Sequence, residues 1–172
     1  SLRETKGRTV SFVNAAAERR RGSGACEGSN AVDISKLLEK AKEAAERRNY
    51  EYVAITDHSR SRPLGLDAAR LSEHAAAIRA LDASLDGRPR LLAGIEVDVL
   101  PSGALDLPDE ALADLDCVVA SIHSRLADPA PRNTERIVRA LRSGVVHVLG
   151  HPTGREIGTR DAYPLDLDRV LE

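Results

Sequence analysis

The sequence predicts an α/β protein built from parallel βα units, arranged as a sheet or a barrel, and three observations lead there. Short apolar runs alternate with longer segments whose apolar residues recur at helical spacing. The runs are apolar throughout, which suits strands buried on both faces of a parallel sheet. They end near residues 57, 96, 123 and 151, so successive ends lie 39, 27 and 28 positions apart, one βα unit each. At 172 residues the chain has the length of one domain. Such a chain buries roughly 70% of its unfolded surface and needs no disulfide or metal merely to fold.

Residues 1–30 form a divergent segment, and residues 31–172 form the α/β domain. Thr9 to Val13 is a short β-branched stretch, predicted as a strand. Arg19-Arg20-Arg21 and the small-residue run from Gly22 to Asn30 read as a solvated loop. Asp33 is placed to cap a helix whose apolar face is Ile34, Leu37, Leu38, Ala41, Ala44 and Ala45. Tyr52 to Thr56 follows as a strand. Asp67 caps the next helix, with Leu71, Ala75, Ile78, Leu81 and Leu85 on one face and His74 on the surface. Leu91 to Ile95 is a strand, Pro101-Ser102-Gly103 a turn, and Pro108 to Ala113 a short helix. Cys117 to Ile122 is a strand, Asn133 to Arg142 a helix ending at Gly144, and Val145 to Leu149 the last strand. Within that strand His147 faces away from Val146 and Val148. Leu165 to Leu171 begins a helix. The chain contains no methionine and begins at Ser1, so it is expected to be a segment of something longer.

Composition narrows the function. Hydrophobic residues make up 42% and charged residues 30%, the balance of a soluble globular chain, and the net charge is −2. Bulk electrostatics therefore do not favour a polyanion. Aromatics are limited to Phe12, Tyr50, Tyr52 and Tyr163, too few for a base-stacking platform. Two cysteines cannot make a disulfide scaffold, and Cys117 inside an apolar run is expected to be a buried thiol in a reducing cytoplasm. No apolar stretch approaches the ~18 residues of a membrane span.

The chemistry concentrates at the strand ends. Asp57-His58, Glu96, His123 and His151 close four successive strands, and the carboxyl ends of parallel strands share one face. A lone histidine at a strand end is usually structural. Four strands in a row ending in His, Glu, His and His make a nitrogen/oxygen donor set suited to zinc, manganese or iron. A metal there would bind a phosphoryl oxygen and lower the pKa of bound water towards ~7. Asp57 is the candidate to orient a ligand histidine, with Asp98 a weaker candidate. Arg155, just after His151, either grips a phosphate or makes a surface salt bridge.

These motifs carry a resemblance. Ala54-Ile55-Thr56-Asp57-His58-Ser59, Gly94-Ile95-Glu96-Val97-Asp98, Val119-Ala120-Ser121-Ile122-His123-Ser124 and Gly150-His151-Pro152-Thr153-Gly154-Arg155 resemble the metal motifs of the PHP (polymerase and histidinol phosphatase) domain. With Leu105-Asp106-Leu107-Pro108, the wording is most similar to the PHP domain of bacterial family X DNA polymerases and their stand-alone relatives. The match runs from about Gly28 to Glu172.

The resemblance implies a distorted (βα) barrel with up to three metals, usually manganese or zinc. It implies hydrolysis of phosphate esters, in the polymerase branch as a 3′–5′ exonuclease and 3′-end phosphatase on DNA, with an attached polymerase domain as neighbour. It implies that His58 binds one metal, that Glu96, His123 and His151 hold another, and that Glu96 bridges to a third. Glu96, Arg155 and Asp57 are the residues expected to serve catalysis.

Two family motifs are missing. The opening His-x-His falls on Arg20-Arg21-Gly22 or on Ser11-Phe12-Val13, neither of which offers a histidine, and the closing Asp-x-His is not reached before Glu172. The expectation is one occupied metal site and impaired hydrolysis. The alternatives are a non-catalytic scaffold beside a polymerase and a small-molecule phosphatase of the histidinol-phosphate kind.

Overall fold

The computed structural model describes residues 10–13 and 34–172. Five apolar runs form one parallel sheet: β1 (Val10–Val13), β2 (Tyr52–His58), β3 (Arg90–Asp98), β4 (Cys117–Ser121) and β5 (Val148–Leu149). Its spatial order is the chain order, β1 to β5. The helices are α1 (Ile34–Arg47), α2 (Ala68–Ser84), α3 (Asp109–Leu112), α4 (Ala130–Leu141) and, after β5, α5 (Leu167–Leu171). This is the α/β class expected. Among the described residues the sheet is open, with β1 and β5 at its edges. The tri-arginine cluster, the Gly/Ser run with Cys26 and the Asp33 cap lie outside the described residues.

Alternation along the strands sorts side chains onto two faces. Val53, Ile55, Leu91, Ala93, Ile95, Val97, Val118 and Ala120 join Leu71, Ile78 and Ile137 of the helices in the main core. Ala54, Cys117 and Val119, with Leu92 and Val148 against them, form a smaller apolar layer. Parallel register sets Thr56 beside Gly94 and His58 beside Glu96. His58 and Glu96 therefore share the face of Ala54 and Leu92, away from the helix layer. No helix among the described residues is long and apolar enough to cross a membrane.

Local chemistry explains the boundaries. Asp67 caps α2 as expected, its carboxylate accepting from the Arg70 N–H at 2.9 Å. α4 starts at Ala130, earlier than the expected Asn133, because Pro131 fits the first turn, where no N–H is required. Asn133 is then fully buried, and its amide donates to the carbonyls of Leu126, Asp128 and Pro164. The last strand is shorter than expected. The His147 N–H still donates to the Val118 carbonyl at 2.9 Å, but the Val118 N–H is accepted at 3.1 Å by His147 Nδ1, so a side chain takes one ladder position before Val148.

One expectation is overturned. His74 is not on the surface; it is 2% exposed and shares the buried stripe of α2 with Leu71, Ala75 and Ile78. A carboxylate from β2 makes that burial tolerable: Asp57 Oδ2 lies 3.1 Å from His74 Nε2.

Close strand approach depends on Gly94. A Cβ there would stand 2.7 Å from the Cys117 carbonyl oxygen and 2.9 Å from Thr56 Cγ2. Gly94→Ala should therefore destabilise the fold by about 1–3 kcal/mol in urea titration. A stability equal to wild type would show that the strands can separate at this point without cost.

Candidate metal centre

Four side chains converge where β2, β3 and the segments after β4 and β5 emerge. His58 ends β2, and Glu96 lies two residues before the end of β3. His123 follows β4 by two residues, and His151 follows β5 by two. Backbone bonds hold these ends together. Ser59 N–H donates to the Glu96 carbonyl (3.0 Å), Ser59 Oγ accepts the Asp98 N–H (2.9 Å) and Val99 N–H donates to the Ser121 carbonyl (2.8 Å). Buried Arg136 of α4 donates to the Ser124 and Val99 carbonyls, tying the segment after His123 to the end of β3.

The donor atoms form a compact figure. Glu96 Oε1 stands 3.3 Å from His123 Nε2 and 3.1 Å from His151 Nε2, and the two nitrogens are 3.2 Å apart. Ligand atoms set tetrahedrally ~2.0–2.1 Å from a cation stand about 3.3–3.4 Å from one another, so this triangle fits one face of such a polyhedron. The other carboxylate oxygen, Oε2, lies 3.7 Å from His58 Nδ1, a buried atom with no hydrogen-bond partner among the described residues. Donor atoms of His58, Glu96 and His123 all fall within 4.8 Å of one another. These residues could hold a metal ion, and their chemistry suits a borderline divalent cation.

One of the histidines is fixed from behind. His123 Nδ1 is hydrogen-bonded to the Asp98 carboxylate, which aims Nε2 at Glu96. His151 is held at φ 28°, a conformation uncommon for a residue with a side chain. Asp57 does not face this cluster. It alternates with His58 along β2 and points into the helix layer towards His74. Asp98, the weaker candidate from sequence, therefore takes the orienting role expected of Asp57.

Charge in the site follows from this packing. Burial opposes ionisation of Glu96, yet hydrogen bonds from His123 and His151 hold its carboxyl well below the usual carboxylate range. Burial would lower His123, but the Asp98 and Glu96 carboxylates outweigh it and push the imidazole up to about 9. Burial lowers His58, helped by His123 and Arg62 and opposed by Glu96. A histidine whose folded value exceeds its unfolded ~6.5 stabilises the fold fully below ~6.5 and loses that contribution as pH rises through the folded value.

Beside His123 and His151 opens a cavity of about 380 Å³, whose lining includes Arg62, Arg155, Arg160 and Glu156. Arg155 makes no ion pair among the described residues, so the salt-bridge alternative is not realised there. Arg62 is half-buried, and its Nε has no hydrogen-bond partner among the described residues. Sequence reasoning missed Arg62 and Arg160. Their only sequence signal is position, four residues after His58 and nine after His151.

Comparison with known proteins agrees with this chemistry. Over 132 residues the chain is 43% identical to the DNA polymerase/3′-5′ exonuclease PolX of Bacillus subtilis (strain 168), a match covering 76% of this chain and 23% of that protein. Over 143 residues it is 32% identical to the protein named "Probable phosphatase TTE1963" of Caldanaerobacter subterraneus subsp. tengcongensis, covering 81% and 52%. Over 141 residues it is 33% identical to "Probable phosphatase Teth514_1060" of Thermoanaerobacter sp. (strain X514), covering 80% and 53%. The chain is similar to named phosphatases and to a polymerase–exonuclease. It spans about half the length of these phosphatases and under a quarter of the polymerase. No family model matches it. The relatives' names support phosphoesterase-type chemistry in general.

Replacing Asp98 by Asn removes the charge behind His123. The His123 midpoint, read from its imidazole C–H shifts in chelator-treated protein, should fall from about 9 by at least a unit. A midpoint unmoved in Asp98→Asn would mean that Glu96 alone sets it.

Proposed function

We propose that the chain is a metal-dependent phosphoesterase domain of the PHP kind. The observation that carries this reading is the triangle of Glu96 Oε1, His123 Nε2 and His151 Nε2, with His58 Nδ1 facing the second oxygen of the same carboxylate. Glu96, His123 and His151 would hold one divalent metal, manganese or zinc by preference and iron as a third choice, and His58 with Glu96 would share a second. Such a metal supplies a Lewis acid for a phosphoryl oxygen and lowers the pKa of water towards ~7. The sequential parallel sheet suits part of a (βα) barrel.

The chain's own residues do the rest. Asp98 keeps His123 in the tautomer that presents Nε2 to the site. Arg155 and Arg62 line the neighbouring cavity, where guanidinium groups would bind the non-bridging oxygens of a phosphate ester and offset charge that builds on them during displacement. Glu96 acts as a ligand rather than a proton carrier, because its carboxyl stays ionised well below neutral pH. The polymerase–exonuclease relative makes DNA 3′ ends the leading substrate and an attached polymerase domain the leading neighbour. The phosphatase relatives keep small phosphate esters in view.

A second reading, a non-catalytic scaffold beside a polymerase, draws on β1. Val13 pairs with Ile55, so β1 runs towards the site beside β2, and its residues Val10-Ser11-Phe12-Val13 bring no histidine or carboxylate to that edge.

Hydrolysis of a 3′-phosphorylated DNA duplex and of a simple phosphomonoester, each with manganese and with zinc, separates the readings. The phosphoesterase reading expects metal-dependent phosphate release that drops at least ~100-fold in Glu96→Gln. Equal rates in wild type and Glu96→Gln would assign the release to a contaminant, and no release from either substrate would leave the scaffold.

A further inference from the structure

The segment after His151 does more than carry a ligand. The His151 carbonyl accepts the Gly154 N–H at 2.8 Å, and Tyr163 N–H donates to the Thr153 carbonyl at 3.0 Å. Gly154 lies so close over the Tyr163 ring that a Cβ would stand 2.5 Å from two ring carbons. Arg160 Nε donates to the Gly154 carbonyl at 3.0 Å. Glu156 and Arg160 then exchange backbone bonds, 2.9 and 2.8 Å, around Ile157, Gly158 and Thr159, with Gly158 at φ 79°. The result is a braced hairpin whose tip holds Ile157 out at 88% exposure, the most exposed large apolar side chain among the described residues.

A single exposed isoleucine ordinarily calls for no explanation. This one is distinguished by its position. Its hairpin walls the cavity beside His123 and His151, and the charged lining there comprises Arg62, Arg155 and Arg160 against Glu156 alone. Cationic groups that can hold phosphates therefore stand next to an apolar tip that a hydrogen-bonded hairpin holds out in water. A small phosphate ester offers that tip nothing to cover it. A polynucleotide presents phosphates and flat apolar base faces at fixed spacing, and aliphatic side chains can wedge against bases.

Building on the phosphoesterase reading, we propose that the 156–160 hairpin is a nucleic-acid contact, in which Ile157 packs against a base of the strand whose phosphates lie along Arg155 and Arg62. Ile157 then sets preference for polynucleotide ends over small phosphate esters without touching the reacting atoms.

Binding of a 5′-labelled single-stranded oligonucleotide, read by fluorescence anisotropy in chelator and again with manganese, tests this apart from catalysis. Ile157→Ser should weaken binding about tenfold and Ile157→Leu should stay within about twofold of wild type, as expected for losing or keeping the burial of one aliphatic side chain. In hydrolysis, Ile157→Ser should lower the ratio of kcat/KM for the oligonucleotide to that for glycerol phosphate by a similar factor. Wild-type affinity in Ile157→Ser, equal losses on both substrates, or no oligonucleotide binding by wild type would each overturn the proposal. Oligonucleotide binding that depends on Ile157 without release of phosphate from either substrate would uphold the hairpin's role and reject the phosphoesterase reading.

Discussion

The site depends on one half-buried carboxylate. Glu96 sits with one oxygen shared between His123 and His151 and the other turned to His58. A carboxylate in this position is costly without compensating charge, and three imidazoles are gathered around it. In the polypeptide alone, the compensation is a proton on His123, held by Glu96 on one side and Asp98 on the other. A divalent cation would supply the same compensation more strongly, while His58, lowered by burial, offers a neutral nitrogen. Geometry and electrostatics thus ask for the same thing, positive charge at the point where these donors meet.

That meeting point exists because the sheet is parallel and wound in chain order. Each βα unit returns the chain to the same end of the sheet, so four strand ends separated by up to 93 residues, from His58 to His151, arrive together. Register then selects the face: His58 and Glu96 are paired neighbours on the side away from the helices. Ser59, Arg136 and Asp98 hold the ends in place, each through hydrogen bonds to the backbone or the imidazole of the neighbouring segment. Gly150, like Gly94, leaves room where a Cβ would strike the Val119 side chain at 2.8 Å.

Much of this was legible in the amino-acid order because apolar runs and their terminal polar residues are local features. The strands, the Asp67 cap, and the convergence of His58, Glu96, His123 and His151 follow from them. The errors come from partners distant in sequence. His74 looked solvated beside Glu73, although its spacing with Leu71 and Ile78 placed it on the buried stripe; only the sheet supplies Asp57 to receive it. Asp57 and Asp98 lie on opposite sides of the sheet because they differ in parity relative to the ligands: one residue before His58, and two after Glu96. The shortened β5 could not be anticipated either, since it depends on the His147 imidazole reaching Val118. Arg62 and Arg160 belong to loops without periodicity, and only the folded chain brings them to one cavity.

The central claim is that Glu96, His123 and His151 bind a metal. Metal content per chain, by inductively coupled plasma mass spectrometry on untagged protein purified without chelator, addresses it most directly. The account predicts at least one tightly held manganese, zinc or iron per chain, lost in His123→Ala. No bound metal, even after soaking with manganese and zinc, would contradict it and would leave Glu96 with only a proton to balance its charge.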